Sequence, residues 1–194
     1  MKDVVVIGGP NGAGKSTAAA DLLPKSLGIR EFVNADEIAK GLSPYNPDEN
    51  AFAAGRIMMQ RIQTLMRAGE NFAFETTLAG KGHAQLLAQC RKQGYRLTLI
   101  FLWLPTVRDA LNRVAKRVAA GGHRIPDPVV IRRFSAGLRN LVKVYLPLVD
   151  VGLVYDNSDH DGGVLFAEKR GNRPVDIYDP DRWRVLKDGG EWPK

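Results

Sequence analysis

Five short apolar runs recur along the chain, at Val4–Gly8, Glu31–Asn34, Asn71–Glu75, Leu97–Leu104 and Gly152–Tyr155, each rich in β-branched or aromatic residues. Runs of this length and composition predict buried β-strands. Between them apolar residues return at helical spacing near Lys15–Leu23, Pro47–Arg67, Gly82–Gln93, Thr106–Ala120 and Asp127–Leu148. The Pro47–Arg67 pattern offers Phe52, Ile57, Met58, Ile62, Leu65 and Met66 as its apolar face. Strand and helix alternating in this way predict an α/β fold, a three-layer α/β/α sandwich around a mainly parallel five-stranded sheet. Two further runs, Val164–Glu168 and Val175–Tyr178, followed by the turn-forming IYDPDRW, predict a short C-terminal β extension that ends in a brief helix. One domain over residues 1–194 is expected, with a lid-bearing helical region at 105–148 and the extension at 159–194.

Sheets of this kind collect ligands beyond the carboxyl ends of their strands, so polar residues there are the first candidates for chemistry. The first strand runs into GGPNGAGKST, residues 8–17. Gly9, Pro10, Asn11, Gly12, Ala13, Gly14, Lys15, Ser16 and Thr17 form the phosphate-binding P-loop spacing G-x-x-x-x-G-K-[ST]. Its glycines let successive N–H groups turn inward on one anion, and the helix beginning near Gly14 adds its positive end. Lys15, on a loop with no part in the core, would reach the β- and γ-phosphates, and the Ser16 hydroxyl would ligate Mg²⁺. The preceding strand and following helix supply the context this motif requires, so ATP and Mg²⁺ are the expected cofactors.

Two more strand ends carry acids. The second strand closes in Asn34-Ala35-Asp36-Glu37, opening a short helix at Asp36–Lys40, and the third closes in Glu75-Thr76-Thr77. Asp36 beside a P-loop could take the proton from an attacking hydroxyl as general base; Asp is also a favoured helix N-cap, and the two roles are compatible. Glu75 on a buried strand needs a partner, a ligand hydroxyl or an arginine. Thr76 and Thr77 either assist it or begin the next turn. After the last core strand, Asn157 either approaches a purine base or belongs, with Ser158, to an Asx-type turn.

Charge narrows the partners. A net charge of +7 favours anionic ligands. Arg108, Arg113, Lys116, Arg117, Arg124, Arg132, Arg133, Arg139 and Lys143 fall within two helical patterns and the loop between them, which holds Gly121-Gly122 and Pro126. Arg113 and Arg117 share a helix face. The grouping predicts a mobile lid that brings positive charge to a transferring phosphoryl group and excludes water. His123 reads as a loop residue only. No basic stretch is interleaved with aromatics of the stacking type, which disfavours nucleic acid as partner. The single cysteine, Cys90, fits packing in a reducing compartment, the short apolar runs exclude a membrane span, and a cytoplasmic location is expected.

Taken in order, GGPNGAGKST, FVNADEIAKGLSP (32–44), FAFETTLAG (72–80), GGHRIP with the following RRF, and YDNS (155–158) are similar to motifs of the zeta toxin family of P-loop kinases. Its best-known members phosphorylate the sugar of UDP-N-acetylglucosamine. The resemblance implies a kinase sheet with a helical lid, transfer of the γ-phosphate to a small hydroxyl-bearing substrate such as a sugar nucleotide, and an antitoxin protein as partner. It implies that Asp36 is the general base, that Glu75 holds the sugar, and that Arg117 and Arg124 contact the triphosphate, with Arg132 and Arg133 close behind. Two other classes stay open: an NTPase that only hydrolyses ATP, against which LTLIFLWLP ends without an acid, and a polynucleotide kinase.

Overall fold

The computed structural model describes residues 2–122, 124–159 and 163–189, with the side chain of Asp48 excepted. His123, expected in the loop, lies outside them.

β1 (Lys2–Gly8) is buried from Val4 onward and forms the centre of the sheet. It pairs in parallel with β3 (Phe72–Thr76) on one side and β4 (Tyr95–Trp103) on the other. β2 (Glu31–Val33) adds to β3, and β5 (Val151–Asp156) adds to β4, both in parallel. Apolar runs without alternation suit strands covered on both faces, which is how these five were legible. The sheet does not stop there. β6 (Val164–Arg170) pairs antiparallel with β5, and β7 (Asp176–Ile177) pairs antiparallel with β6. The expected five-stranded sheet is thus seven-stranded and mixed, in the order β2-β3-β1-β4-β5-β6-β7. The extension prolongs the sheet because β5 would otherwise leave a ladder of open backbone groups beside a buried face.

The helices are α1 (Lys15–Ser26), α2 (Ala35–Leu42), α3 (Ala51–Ala68), α4 (Gly82–Lys92), α5 (Val107–Ala119), α6 (Asp127–Asn140), α7 (Leu146–Leu148) and α8 (Pro180–Asp188). On α3 the buried stripe is Ala54, Met58, Ile62, Leu65 and Met66. Phe52 and Ile57, expected on that face, point outward, since at 100° per residue they fall off the stripe. The single helix expected over 127–148 is interrupted by a π-helical turn, Leu141–Tyr145, before α7. Pro147 lacks an N–H and crowds the carbonyl four residues back, so the helix widens ahead of it. Gly121 and Gly122 end α5: their N–H groups bond the carbonyls of Val118 and Arg117 at 3.0 and 2.9 Å, the two-bond stop of a left-handed cap. Cys90 packs in the core, where burial pushes its thiol up to about 11.

Candidate active site

The P-loop leaves β1 at Gly8 and enters α1 at Lys15. Only glycine fits at position 9: its φ is +148°, and a Cβ there would sit 2.4 Å from the Leu102 carbonyl oxygen. Gly14, at φ 81°, caps α1 without a side chain, so the helix presents bare N–H groups. Lys15 was expected at the surface and is instead buried. Its Nζ donates to the Pro10 carbonyl at 2.9 Å and stands 3.6 Å from Oε1 of Glu75. Burial lowers the Lys15 pKa; the charges of Glu75 and Asp36 oppose that fall, and the nearby Arg117 guanidinium reinforces it.

Glu75 is held chiefly by P-loop and strand-end groups. Its Oε2 accepts from the Ser16 hydroxyl at 2.6 Å and from Nδ2 of Asn34 at 3.0 Å. Asn34 also caps α2, accepting at Oδ1 from the Asp36 N–H at 2.8 Å. Of the two compatible roles open to Asp36, capping is not the one observed: Asn34 holds the cap, two residues before, and the exposed Asp36 lines the cleft. The signal was present, an Asn immediately before a helical run.

Two clefts meet at the P-loop. One, of about 950 Å³, is lined by Gly12, Gly14 and Thr17, by apolar Leu22, Ile100 and Leu153, and by Arg113 and Asn157. The other, of about 720 Å³, is more polar and gathers Asn11, Lys15, Asn34, Asp36, Glu75, Thr76, Thr77, His83, Arg132 and Arg133. Arg124 is exposed on the α5–α6 loop and lines neither cleft. Arg132 and Arg133 project from α6 and make no ion pair among the described residues. Asn11 is buried, and its Oδ1 has no hydrogen-bond partner among the described residues. An unsatisfied buried acceptor of this kind is uncommon and suits a site built for a donor that arrives with a ligand.

Sequence reasoning missed His83. Its ring stacks on Phe74 with centroids 5.3 Å apart, and its Nδ1 lies 3.3 Å from Oγ1 of Thr76. Burial lowers its pKa, favouring the neutral imidazole. Nothing in the local pattern singled it out, because a histidine in the first turn of a helix carries no period or spacing of its own. Of the two roles expected of Thr76, assisting Glu75 or beginning the next turn, the turn is the one observed: at the end of β3 its hydroxyl accepts from the Leu78 N–H at 3.2 Å. That turn is strained at Leu78, with φ 56°, and α6 holds it. Nδ2 of Asn140 donates to the carbonyls of Leu78 and Ala79, Tyr145 donates to that of Gly80, and Gly137 lets the Thr77 carbonyl approach.

In the first cleft Asn157 does not form the Asx turn. Asp156 does, accepting from the Ser158 N–H at 2.9 Å. Asn157 instead donates from Nδ2 to the Ala13 carbonyl at 2.8 Å, fastening the P-loop itself. Among the described residues no group of three His, Cys, Asp or Glu could hold a metal ion. The Ser16 hydroxyl gives its hydrogen to Glu75 and accepts a long bond, 3.4 Å, from Nδ2 of Asn34, which leaves one lone pair for a Mg²⁺ that would take its other oxygens from phosphates and water.

A glycine-rich turn between a central parallel strand and a helix, with its lysine against an acid from the neighbouring strand, defines a P-loop protein of the kinase-like class. Residues 4–140 match the AAA domain family AAA_33, and the chain belongs to it. An uncharacterized protein of Haemophilus influenzae is 28% identical over 126 residues, 65% of this chain and 88% of that protein. Among solved structures, AvrRxo1-ORF1:-ORF2 with ATP superposes with a TM-score of 0.74 at 17% identity, covering 96% of this chain. This chain spans 64% of that one. The PezAT chromosomal toxin-antitoxin system of Streptococcus pneumoniae gives a TM-score of 0.66 at 15% identity, covering 100% of this chain and 81% of its own. These likenesses support the zeta-toxin-like α/β fold that the resemblance implies, with the sheet corrected to seven mixed strands. No helix among the described residues is long and apolar enough to cross a membrane.

Proposed function

We propose that this protein is an ATP-dependent phosphotransferase that moves the γ-phosphate to a hydroxyl of a small acceptor, a sugar nucleotide such as UDP-N-acetylglucosamine or a related metabolite. One observation carries the reading: the P-loop is shared by two clefts, a larger one with an apolar wall and a polar one that holds carboxylates. An enzyme that only hydrolyses ATP needs one such space, whereas group transfer between two molecules needs both. In this reading the base and ribose occupy the first cleft, and the phosphates follow the N–H groups of Gly9 to Thr17 toward Lys15. The acceptor enters the second cleft.

There Asp36 takes the proton from the attacking hydroxyl, and Glu75, Thr76 and Thr77 hold neighbouring hydroxyls. Lys15, Arg117 and Arg133 balance the charge of the transferring group, with Arg124 joining when the loop closes. Ser16 would hold a Mg²⁺ ion, which would supply further neutralisation of the phosphoryl oxygens. The likeness to the PezAT toxin-antitoxin system supports an antitoxin-like protein as a partner, and a cytoplasmic location belongs to the same reading.

The test is a panel of UDP-sugars, free sugars and small alcohols incubated with the protein, Mg²⁺ and γ-labelled ATP. Label appearing on a sugar hydroxyl supports the reading. Label released only as inorganic phosphate, or transferred only to the ends of polynucleotides, overturns it.

A further inference from the structure

The segment Asp156-Asn157-Ser158 is gripped from several directions at once. The Asn157 N–H donates to the Trp103 carbonyl at 3.0 Å, which ties the segment to β4. Arg113 of α5 donates to the Ser158 carbonyl. Nε of Arg182, from α8, donates to Oδ2 of Asp156 at 2.9 Å, while its Nη1 donates to Asp179 at 2.6 Å. In turn the segment holds the P-loop, through Nδ2 of Asn157 on the Ala13 carbonyl.

Asp156 is 6% exposed, and its buried carboxylate is satisfied by that guanidinium and by the Ser158 N–H. α8 cannot drift from this position, because Trp183, Val185 and Leu186 are buried in the core and Asp179 caps its first turn. One planar fork thus spans two carboxylates at fixed geometry, which a lysine could not do.

We infer that Arg182 is a positioning residue for the nucleotide cleft: through Asp156 it fixes Asn157, and through Asn157 it fixes the P-loop backbone at Ala13. α8 lies beyond residues 4–140, the part of the chain that matches the family, so the inference makes the C-terminal extension a working part of the nucleotide site. It rests on the reading that the first cleft takes ATP.

The experiment is calorimetric titration of the full chain with Mg·ATP, alongside thermal unfolding, for wild type, Arg182→Gln, Arg182→Lys, Asn157→Ala, the double variant Arg182→Gln/Asn157→Ala, and Arg184→Gln as a control on the exposed side of α8. Arg182→Gln and Asn157→Ala should each weaken Mg·ATP binding roughly tenfold, the size of one lost charge-assisted or buried hydrogen bond. Because they act in series, the double variant should bind no worse than the weaker single variant. Arg184→Gln should bind as wild type. Arg182→Lys, which keeps the charge near Asp156, should bind between wild type and Arg182→Gln and carries the test if the glutamine variant does not fold. A lowered melting temperature with unchanged affinity, or losses that multiply in the double variant, overturns the inference and leaves Arg182 as an anchor of α8. Wild type that takes up no Mg·ATP overturns the nucleotide reading itself, an outcome visible before any substitution is made.

Discussion

The Ser16 hydroxyl gives its hydrogen to Glu75, Oγ to Oε2 at 2.6 Å, across the gap between α1 and the end of β3. The bond commits the serine hydrogen, leaves one lone pair beyond the long bond accepted from Asn34, and makes an acid of a neighbouring strand part of the P-loop. Glu75→Gln should therefore weaken Mg·ATP binding as well as acceptor binding, by roughly 10- to 100-fold for the nucleotide, as loss of a group that orients a metal ligand does. Titration of the variant with Mg·ATP and with ATP plus EDTA checks this. A loss seen equally without the metal would assign Glu75 to Lys15 rather than to Ser16.

Lys15→Met should fold and lose turnover. The buried ammonium is held by the Pro10 carbonyl and Glu75, and an apolar side chain of similar length fills its volume without the desolvation that lowers its pKa. Phosphoryl transfer should fall by about 10²-fold or more, with circular dichroism unchanged.

Asp36 and Asn34 separate catalysis from capping. Asp36→Asn should leave the fold and ATP affinity intact and lower transfer by about 10²- to 10⁴-fold, because the cap belongs to Asn34. Asn34→Ala should instead cost about 1 kcal/mol from the lost cap, and more where its bond to Glu75 goes with it. Chemical denaturation and initial rates on both variants check the division.

His83 sets a pH dependence of stability. Burial lowers its folded pKa below the ordinary 6.5, so the unfolded chain binds this proton first as pH falls. Its contribution to stability is complete above about 6.5. It is lost as pH falls from there through the folded pKa, and is gone below it. His83→Gln should flatten the drop in melting temperature between about pH 7.5 and 5. An unaltered slope would mean that the ring already protonates freely in the cleft.

The parallel strands and the P-loop were legible because each follows from short-range pattern: unbroken apolar runs for β1 and β4, glycine spacing for the loop. Asp36 and Glu75 were singled out because sheet topology directs attention to strand ends, and both line the cleft beside the P-loop. What escaped depended on contacts distant in sequence. The burial of Lys15 is set by Glu75, which is sixty residues on along the chain. Asn157 reaches Ala13 across 144 positions, and Asn140 reaches Leu78 across 62. No local periodicity encodes such pairings. The basic cluster between Arg108 and Lys143 was visible as a group, yet the structure divides it: Arg113 to one cleft, Arg132 and Arg133 to the other, and Arg124 to neither.

The sheet ends in three residues of β2 on one side and two of β7 on the other. So short a ladder offers an incoming chain few free backbone donors and acceptors, which guards against edge-to-edge aggregation. It also means that a partner protein gains little by adding a strand of its own. Recognition of this molecule by another must then be written in side chains, on helix faces and around the mouths of its clefts, where a single substitution can abolish it.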